Sequence, residues 1–288
     1  MTQKIAVAFL HGAGTPDHDF ADEMIRKIRK RFSEKLGVEN ADQEIVLEPV
    51  FWSSVFEQEE QELTERLKAN TDLDYLYLRR FVIEFLADAV AYQPTKQENQ
   101  NYDRVNAIVA KSIRKLKEQA GDSAPLCIIS HSLGSVVASN YFYDLQFKRE
   151  NIGPKTMGIV SQTPIDSDET LALFYTMGSP LALWSMRYPE FGQPIHVPSP
   201  GLARAHPKVT GEWINFYDKD DVLAFPLKGL NKHYQVAVTE DIQVNVGGWP
   251  TSWTPLSHSK YNTDLDVITP IVNGLVRTWK EVNVNNWK

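Results

Sequence analysis

The chain has almost no cysteine: Cys127 stands alone among 288 residues, so no disulfide within the chain can staple the fold. It sits in an apolar run and reads as a small buried residue rather than a reactive thiol. Basic residues are in the minority, with 30 Lys and Arg against 37 Asp and Glu for a net charge of −7. Binding a phosphate backbone asks for the opposite sign, which excludes nucleic acid as the main partner. No apolar run approaches the roughly 18 residues of a membrane span. The opening run Ile5–Leu10 is too short for a secretory signal and ends in a turn that looks functional, so the chain reads as cytoplasmic. The histidines form no His-x-x-His or His-x-x-x-His pair with carboxylates at ligand spacing, and no G-x-x-x-x-G-K loop is present. Neither a metal nor a cofactor is expected. There are no internal repeats and no low-complexity tracts.

What is present is ordinary in amount and informative in order. Hydrophobic residues make up 42% of the chain and charged residues 23%, enough to bury a large core in one domain spanning 1–288. Ile5–Leu10 reads as a parallel strand buried on both faces. Residues 18–36 follow as a helix, with Phe20, Met24, Ile28 and Phe32 every fourth residue and Gly37 as its stop. Its outer Arg26, Lys27, Arg29, Lys30 and Arg31 form a solvated face. A second strand runs from Ile45 to Trp52, with Pro49 indicating a bend or an edge. The stretch 53–120 holds three helical patterns, Glu57–Lys68, Leu73–Tyr92 and Val105–Gln119, where one helix suffices for a crossover. Residues 53–101 are therefore expected to be a helical cap or insertion. In it Tyr75, Tyr77, Phe81 and Phe85 supply aromatic surface, either packed on the core or roofing a pocket. Later strands are expected at Leu171–Met177, Trp213–Tyr217 and Tyr234–Val246, with a final helix at Asp264–Lys280. Alternating strands and helices predict one doubly wound, mostly parallel sheet.

The decisive segment is Ser130-His131-Ser132-Leu133-Gly134. The apolar run Pro125–Ile129 precedes it and the helical stretch Ser135–Phe147 follows it. Strand, sharp turn and helix place Ser132 at the apex of a nucleophile elbow, where the strained turn needs small residues two positions either side. Gly134 satisfies this, and Ser130 stands where Gly is usual. The helix N-terminus aims N–H groups at the same spot, an anion site beside an exposed hydroxyl.

A serine hydroxyl needs a base, and the base needs an orienting carboxylate. In doubly wound sheets with such an elbow the chain order is Ser, then Asp or Glu, then His. That order filters the seven histidines. His11 and His18 precede the serine, His131 lies inside the elbow, His196 and His206 precede the best acid loop, and His233 leads into the next expected strand. His258 remains, after the last strand and before the final helix. The acid loop 217–227 carries Asp218, Asp220 and Asp221; Asp218 sits too close to the strand end, while Asp220 and Asp221 both reach. Two backbone donors are needed for the oxyanion. The residues read for this are Leu133, directly after the nucleophile, and Ala13 in the turn His11-Gly12-Ala13-Gly14.

Taken together these segments resemble the α/β-hydrolase superfamily, and within it the serine esterases and lipases. The resemblance runs over nearly the whole chain: 11–14, 130–134, Met177-Gly178-Ser179-Pro180, the acid loop and the His258 loop. Asp221-Val222-Leu223-Ala224-Phe225-Pro226-Leu227 is similar to the Asp-Pro-Val-Ala-Tyr-x-Leu segment of some DDHD-type phospholipases, with Val222 in place of Pro. That match implies Asp221 as the acid. The family likeness implies hydrolysis of a small-molecule or lipid ester through an acyl-enzyme on Ser132, with peripheral membrane contact left open; the surplus helices and aromatic side chains of 71–92 make Phe81 and Phe85 the candidate acyl contacts if that segment roofs the pocket. The competing reading is a catalytically silent binding module that kept the fold, which Ser130 favours.

Overall fold

The computed structural model describes residues 2–14, 16–17, 19–69, 86, 88–93, 100–246, 258 and 260–284. Its frame is six parallel strands: β1 (Ile5–Leu10), β2 (Ile45–Val50), β3 (Leu126–His131), β4 (Leu171–Met177), β5 (Glu212–Asp218) and β6 (Glu240–Val244), ordered β2-β1-β3-β4-β5-β6. The five longer helices among the described residues are α1 (Asp22–Leu36), α2 (Glu57–Ala69), α3 (Asn101–Ala120), α4 (Leu133–Phe147) and α5 (Leu265–Asn283).

Strand alternation explains the two-sided core. On β1, Ile5, Val7 and Phe9 pack into a layer with Met24, Ile28 and Phe32 of α1 and Ile268, Ile271 and Leu275 of α5. Ala6, Ala8 and Leu10 point to the opposite layer, with Val105, Val109 and Ile113 of α3 and Val136 and Val137 of α4. Each fully buried aliphatic side chain contributes about 1.5–3 kcal/mol, so both faces must be covered for these apolar strands to persist. The alanines on one face let α4 come close. At Gly134 a Cβ would lie 2.2 Å from the His11 carbonyl oxygen, an approach that only glycine permits. Cys127 is buried in β3, as its neighbours dictate.

Several boundaries shift for local reasons. The first helix starts at Asp22, where acidic Asp22 and Glu23 suit the helix N-terminus, and stops at Gly37 in the left-handed region (φ 70°). Pro49 lies in edge strand β2, where a missing N–H is tolerated. Trp52 leaves that strand for a short 3₁₀ turn. The expected strand Tyr234–Val246 is corrected: Lys232–Ala237 is a short helix and only Glu240–Val244 joins the sheet. The Asn231 side chain accepts the Tyr234 N–H and starts that helix, so its cap outweighs the strand-like alternation of Tyr234, Val236 and Val238. The last helix continues past Lys280 to Asn283 and keeps Pro270 within it.

Of the stretch 53–101, α2 is present and residues 88–91 are helical, while 70–85 and 94–99 lie outside the described residues, and with them Tyr75, Tyr77, Phe81 and Phe85. Ala89 and Tyr92 are buried in the α3–α4 layer, the Tyr92 ring 5.0 Å from that of Tyr102. The crossover from β2 to β3 is closed by α3, which packs on β1 and β2.

The chain runs from β1 to its neighbour β2, then crosses back to β3 on the other side of β1. Crevices at such a reversal, outside the carboxyl ends of the strands, are where open α/β sheets hold ligands. The turn after β1 and the elbow after β3 meet there.

Candidate active site

Ser132 connects β3 directly to α4 with φ 49° and ψ −128°, a conformation that side chains rarely adopt. Such strain costs on the order of 1–3 kcal/mol and persists only where surrounding contacts impose it. Those contacts are visible. The Ser132 N–H donates to the Met177 carbonyl at the end of β4 (2.9 Å), and the Ser135 hydroxyl donates to the Ser132 carbonyl (2.6 Å). Ser135 and Ser179 share a further hydrogen bond of 2.6 Å, joining the first turn of α4 to the loop after β4. Ser130, in the position where glycine is usual, is fully buried and donates its hydroxyl to the Tyr175 carbonyl at 3.1 Å. The extra hydroxyl therefore has a partner and does not disturb the turn.

His258 and Asp221 converge on this serine. The Ser132 hydroxyl and His258 Nε2 are 2.6 Å apart, and His258 Nδ1 donates to Asp221 Oδ2 at 2.7 Å. With Nδ1–H committed to the carboxylate, Nε2 is left to accept the serine proton. All three side chains are buried. Of the three aspartates in the loop, Asp218 is consumed by structure: Oδ1 accepts the Asp220 N–H (2.9 Å) and Oδ2 the Val246 N–H (2.7 Å), tying β5 to the end of β6. Asp220 is exposed to solvent, and Asp221 is the acid brought to His258. Burial pushes the Asp221 carboxyl up. The hydrogen bond and charge of His258, the Leu223 N–H and the Tyr261 hydroxyl more than offset this and hold it below the usual carboxylate range. It is thus ionised at neutral pH, the state an orienting carboxylate needs.

Gly178, at φ 57°, is what lets these groups meet. A Cβ there would stand 3.1 Å from His258 Cε1, 3.2 Å from Asp221 Oδ2 and 3.0 Å from Tyr261 Cε2.

The turn 11–14 lies against the elbow, since a Cβ on Gly12 would come within 3.0 Å of Ser132 Cβ. Both its ends are tied. The Trp52 indole N–H donates to the His11 carbonyl (2.8 Å), and the Gly14 N–H donates to Asp88 Oδ2 (2.8 Å). Between these ties sits Ala13, half-buried and packed against the layer that includes Leu133. Leu133 is the first residue of α4, so its N–H has no carbonyl within the helix to bond. Trp52 and Asp88 carried no assignment in the sequence reading. The signal for Asp88 is an acid set among Leu86, Ala87, Ala89 and Val90.

Two further histidines are packed beside these three side chains. His11 stacks on Trp52 at 5.0 Å, and the His131 ring lies 4.8 Å from that of His258. His131 Nε2–H donates to the His258 backbone carbonyl (2.5 Å), so the elbow itself grips the segment that carries His258. Burial drives His11 from 6.5 to about 3, with its Gly12 contact opposing, and drives His131 to about 3, with His258 adding to the fall. Both imidazoles stay neutral in the fold but take up protons near 6.5 once unfolded. Their stabilising contribution is full above that pH and is lost progressively as the pH falls towards 3. The urea midpoint is accordingly expected to be level above neutrality and to drop between pH 6.5 and about 4.5, before most carboxylates titrate. A midpoint unchanged across that window would remove these histidines from the account.

Phe81 and Phe85, read as acyl contacts, and His18 lie outside the described residues. Among the described residues, no group of three His, Cys, Asp or Glu side chains is disposed to hold a metal ion, and no helix is long and apolar enough to cross a membrane.

No protein-family model and no curated protein matches this chain. Among solved structures it is similar to a dienelactone hydrolase from Anabaena variabilis, at 12% identity over 97% of this chain and 87% of that one, with a TM-score of 0.41. An esterase from the fungus Rhizomucor miehei is similar at 12% identity over 98% of this chain and 77% of that one, with a TM-score of 0.44. A metagenome-derived lipolytic enzyme is similar at 13% identity over 85% and 84%, with a TM-score of 0.34. The parallel strand order, the Ser132 elbow between β3 and α4, and loops after β5 and β6 that bring an acid and a histidine to it give this chain the α/β-hydrolase fold.

Proposed function

We propose that the chain is a serine hydrolase that cleaves a carboxylic ester through an acyl-enzyme. The observation that carries this reading is the hydrogen-bonded line from Ser132 Oγ to His258 Nε2 (2.6 Å) and from His258 Nδ1 to Asp221 (2.7 Å), on a serine held at φ 49°. In the proposed reaction Ser132 Oγ attacks the ester carbonyl while its proton passes to His258 Nε2. The carbonyl oxygen gains the negative charge and is met by the N–H groups of Leu133 and Ala13, donors worth about 3–4 kcal/mol each where measured in such sites. Collapse of the tetrahedral adduct expels the alcohol, which takes the proton from His258. Water then repeats the sequence on the acyl-serine and releases the acid. Asp221 stays ionised throughout and stabilises the imidazolium.

A lipid ester is the sub-case favoured by the aromatic sequence between 71 and 92, with Phe81 and Phe85 as the acyl contacts. Each buried methylene would add about 0.8 kcal/mol, so kcat/KM should climb over several carbons. The test is stopped-flow hydrolysis of p-nitrophenyl esters of rising acyl length. A burst of one nitrophenol per chain supports the acyl-enzyme, and a climbing profile supports the apolar roof. Release no faster than in buffer overturns the assignment, and a flat profile overturns the lipid sub-case.

A further inference from the structure

Tyr261 comes from the short 3₁₀ turn (Tyr261–Thr263) that leads into α5, and its side chain is fully buried. Its hydroxyl donates to Asp221 Oδ2 at 2.9 Å, the same oxygen that accepts from His258 Nδ1 at 2.7 Å. The same hydroxyl accepts the Asp218 N–H at 2.9 Å. The other carboxylate oxygen, Oδ1, accepts the Leu223 N–H at 3.0 Å. Without Tyr261, the described partner left on Oδ2 is the base that the carboxylate is supposed to orient. The phenol therefore supplies a fixed point that does not depend on His258. On the opposite side, the absent Cβ of Gly178 leaves the space into which the Tyr261 ring edge fits.

We propose that Tyr261 is a positioning residue of the triad, fixing the Asp221 carboxylate in the one orientation that aims His258 at Ser132; this rests on the serine-hydrolase reading above. It also moderates the base. Accepting from Asp218 N–H polarises the phenol and makes its O–H a better donor, so it draws charge from Oδ2. A carboxylate with less free charge favours the imidazolium less. The other groups facing this cluster are fixed in effect: the Asp218 carboxylate is held by two backbone N–H groups, and the His131 ring, 5.9 Å from that of Tyr261, is committed to the His258 carbonyl.

The experiment follows the rate of inactivation by a fluorophosphonate from pH 5 to 9. It compares wild type, Tyr261→Phe, and protein carrying 3-fluorotyrosine at 261, a stronger donor of nearly the same shape. In wild type the rate should rise with pH along one limb to a plateau. Tyr261→Phe should move this limb to higher pH, by on the order of half a unit, and lower the plateau about tenfold. The fluorinated ring should move the limb the other way and keep the plateau. A plateau that falls with the limb unmoved in both proteins assigns Tyr261 to packing only and overturns the proposal. If Tyr261→Phe does not fold, the fluorinated protein decides the matter by the direction of its shift, and no shift overturns the proposal. A wild type that is not labelled at any pH overturns the triad reading itself, and the role of Tyr261 with it.

Discussion

Ser132→Ala is expected to lower kcat for ester hydrolysis by about 10⁶-fold, the scale of loss when the nucleophile of a serine triad is removed. The reason lies in the arrangement of the site. The other hydroxyls beside the elbow are engaged elsewhere: Ser130 donates to the Tyr175 carbonyl, Ser135 to the Ser132 carbonyl, and Ser179 is paired with Ser135. The fold should survive, because the elbow is held by backbone contacts from Met177 and by Ser135, none of which uses the Ser132 hydroxyl. A companion variant separates chemistry from strain. Ser132→Gly should be equally inactive yet more stable by about 1 kcal/mol or more, since glycine tolerates φ 49° at no steric cost. Steady-state kinetics and urea unfolding on the two proteins read both effects. Activity retained in Ser132→Ala would contradict the assignment, and a less stable Ser132→Gly would contradict the strain argument.

The second large effect concerns the acid. Asp221→Asn should cost about 10⁴ in kcat, because an amide facing His258 Nδ1 favours the wrong imidazole tautomer. Asp220→Asn should stay close to wild type, since that side chain points to solvent and its charge is screened there. Asp218→Asn belongs to a different category. It weakens the bonds to the Asp220 and Val246 N–H groups, so it should lower stability more than turnover in the folded protein. Parallel measurement of kcat and unfolding on the three variants checks this ranking. A large catalytic loss for Asp220→Asn with little for Asp221→Asn would invert the assignment.

How much of this was legible in the sequence depends on the range of the interactions involved. The apolar runs Ile5–Leu10 and Leu171–Met177 announce buried parallel strands because both faces of each are covered and every residue is apolar or small. The elbow is legible because its constraint is local: a strained turn needs small neighbours, and strand, serine and helix follow one another within a few residues. The misread strand at Tyr234–Val246 fails for an equally local reason. Tyr234, Val236 and Val238 alternate as a strand would, yet Val236 is 87% exposed, and the Asn231 cap commits the segment to a helix. The strand that does exist, Glu240–Val244, is polar because it is an edge strand with little to bury.

The choice among Asp218, Asp220 and Asp221 could not come from spacing alone. The fold separates them: Asp218 ties β5 to the end of β6, Asp220 faces solvent, and Asp221 lies 2.7 Å from His258 Nδ1. The contributions of Trp52, Asp88 and Tyr261 were hidden because each acts over distance in the chain: Trp52 on His11, Asp88 on Gly14, and Tyr261 on Asp221 across 40 positions. The acid among apolar residues at 88 signals burial, yet nothing local names the partner of any of the three.

The proposed chemistry rests on the activation of one serine, Ser132, by His258 and Asp221. It is tested most directly by treating the folded protein with a fluorophosphonate and locating the adduct by mass spectrometry of its peptides. A single phosphonyl group per chain is expected on the peptide carrying Ser132, and none when His258 is replaced by Ala or the protein is first unfolded. No adduct on the native protein, or an adduct on another residue that persists in Ser132→Ala, would contradict it.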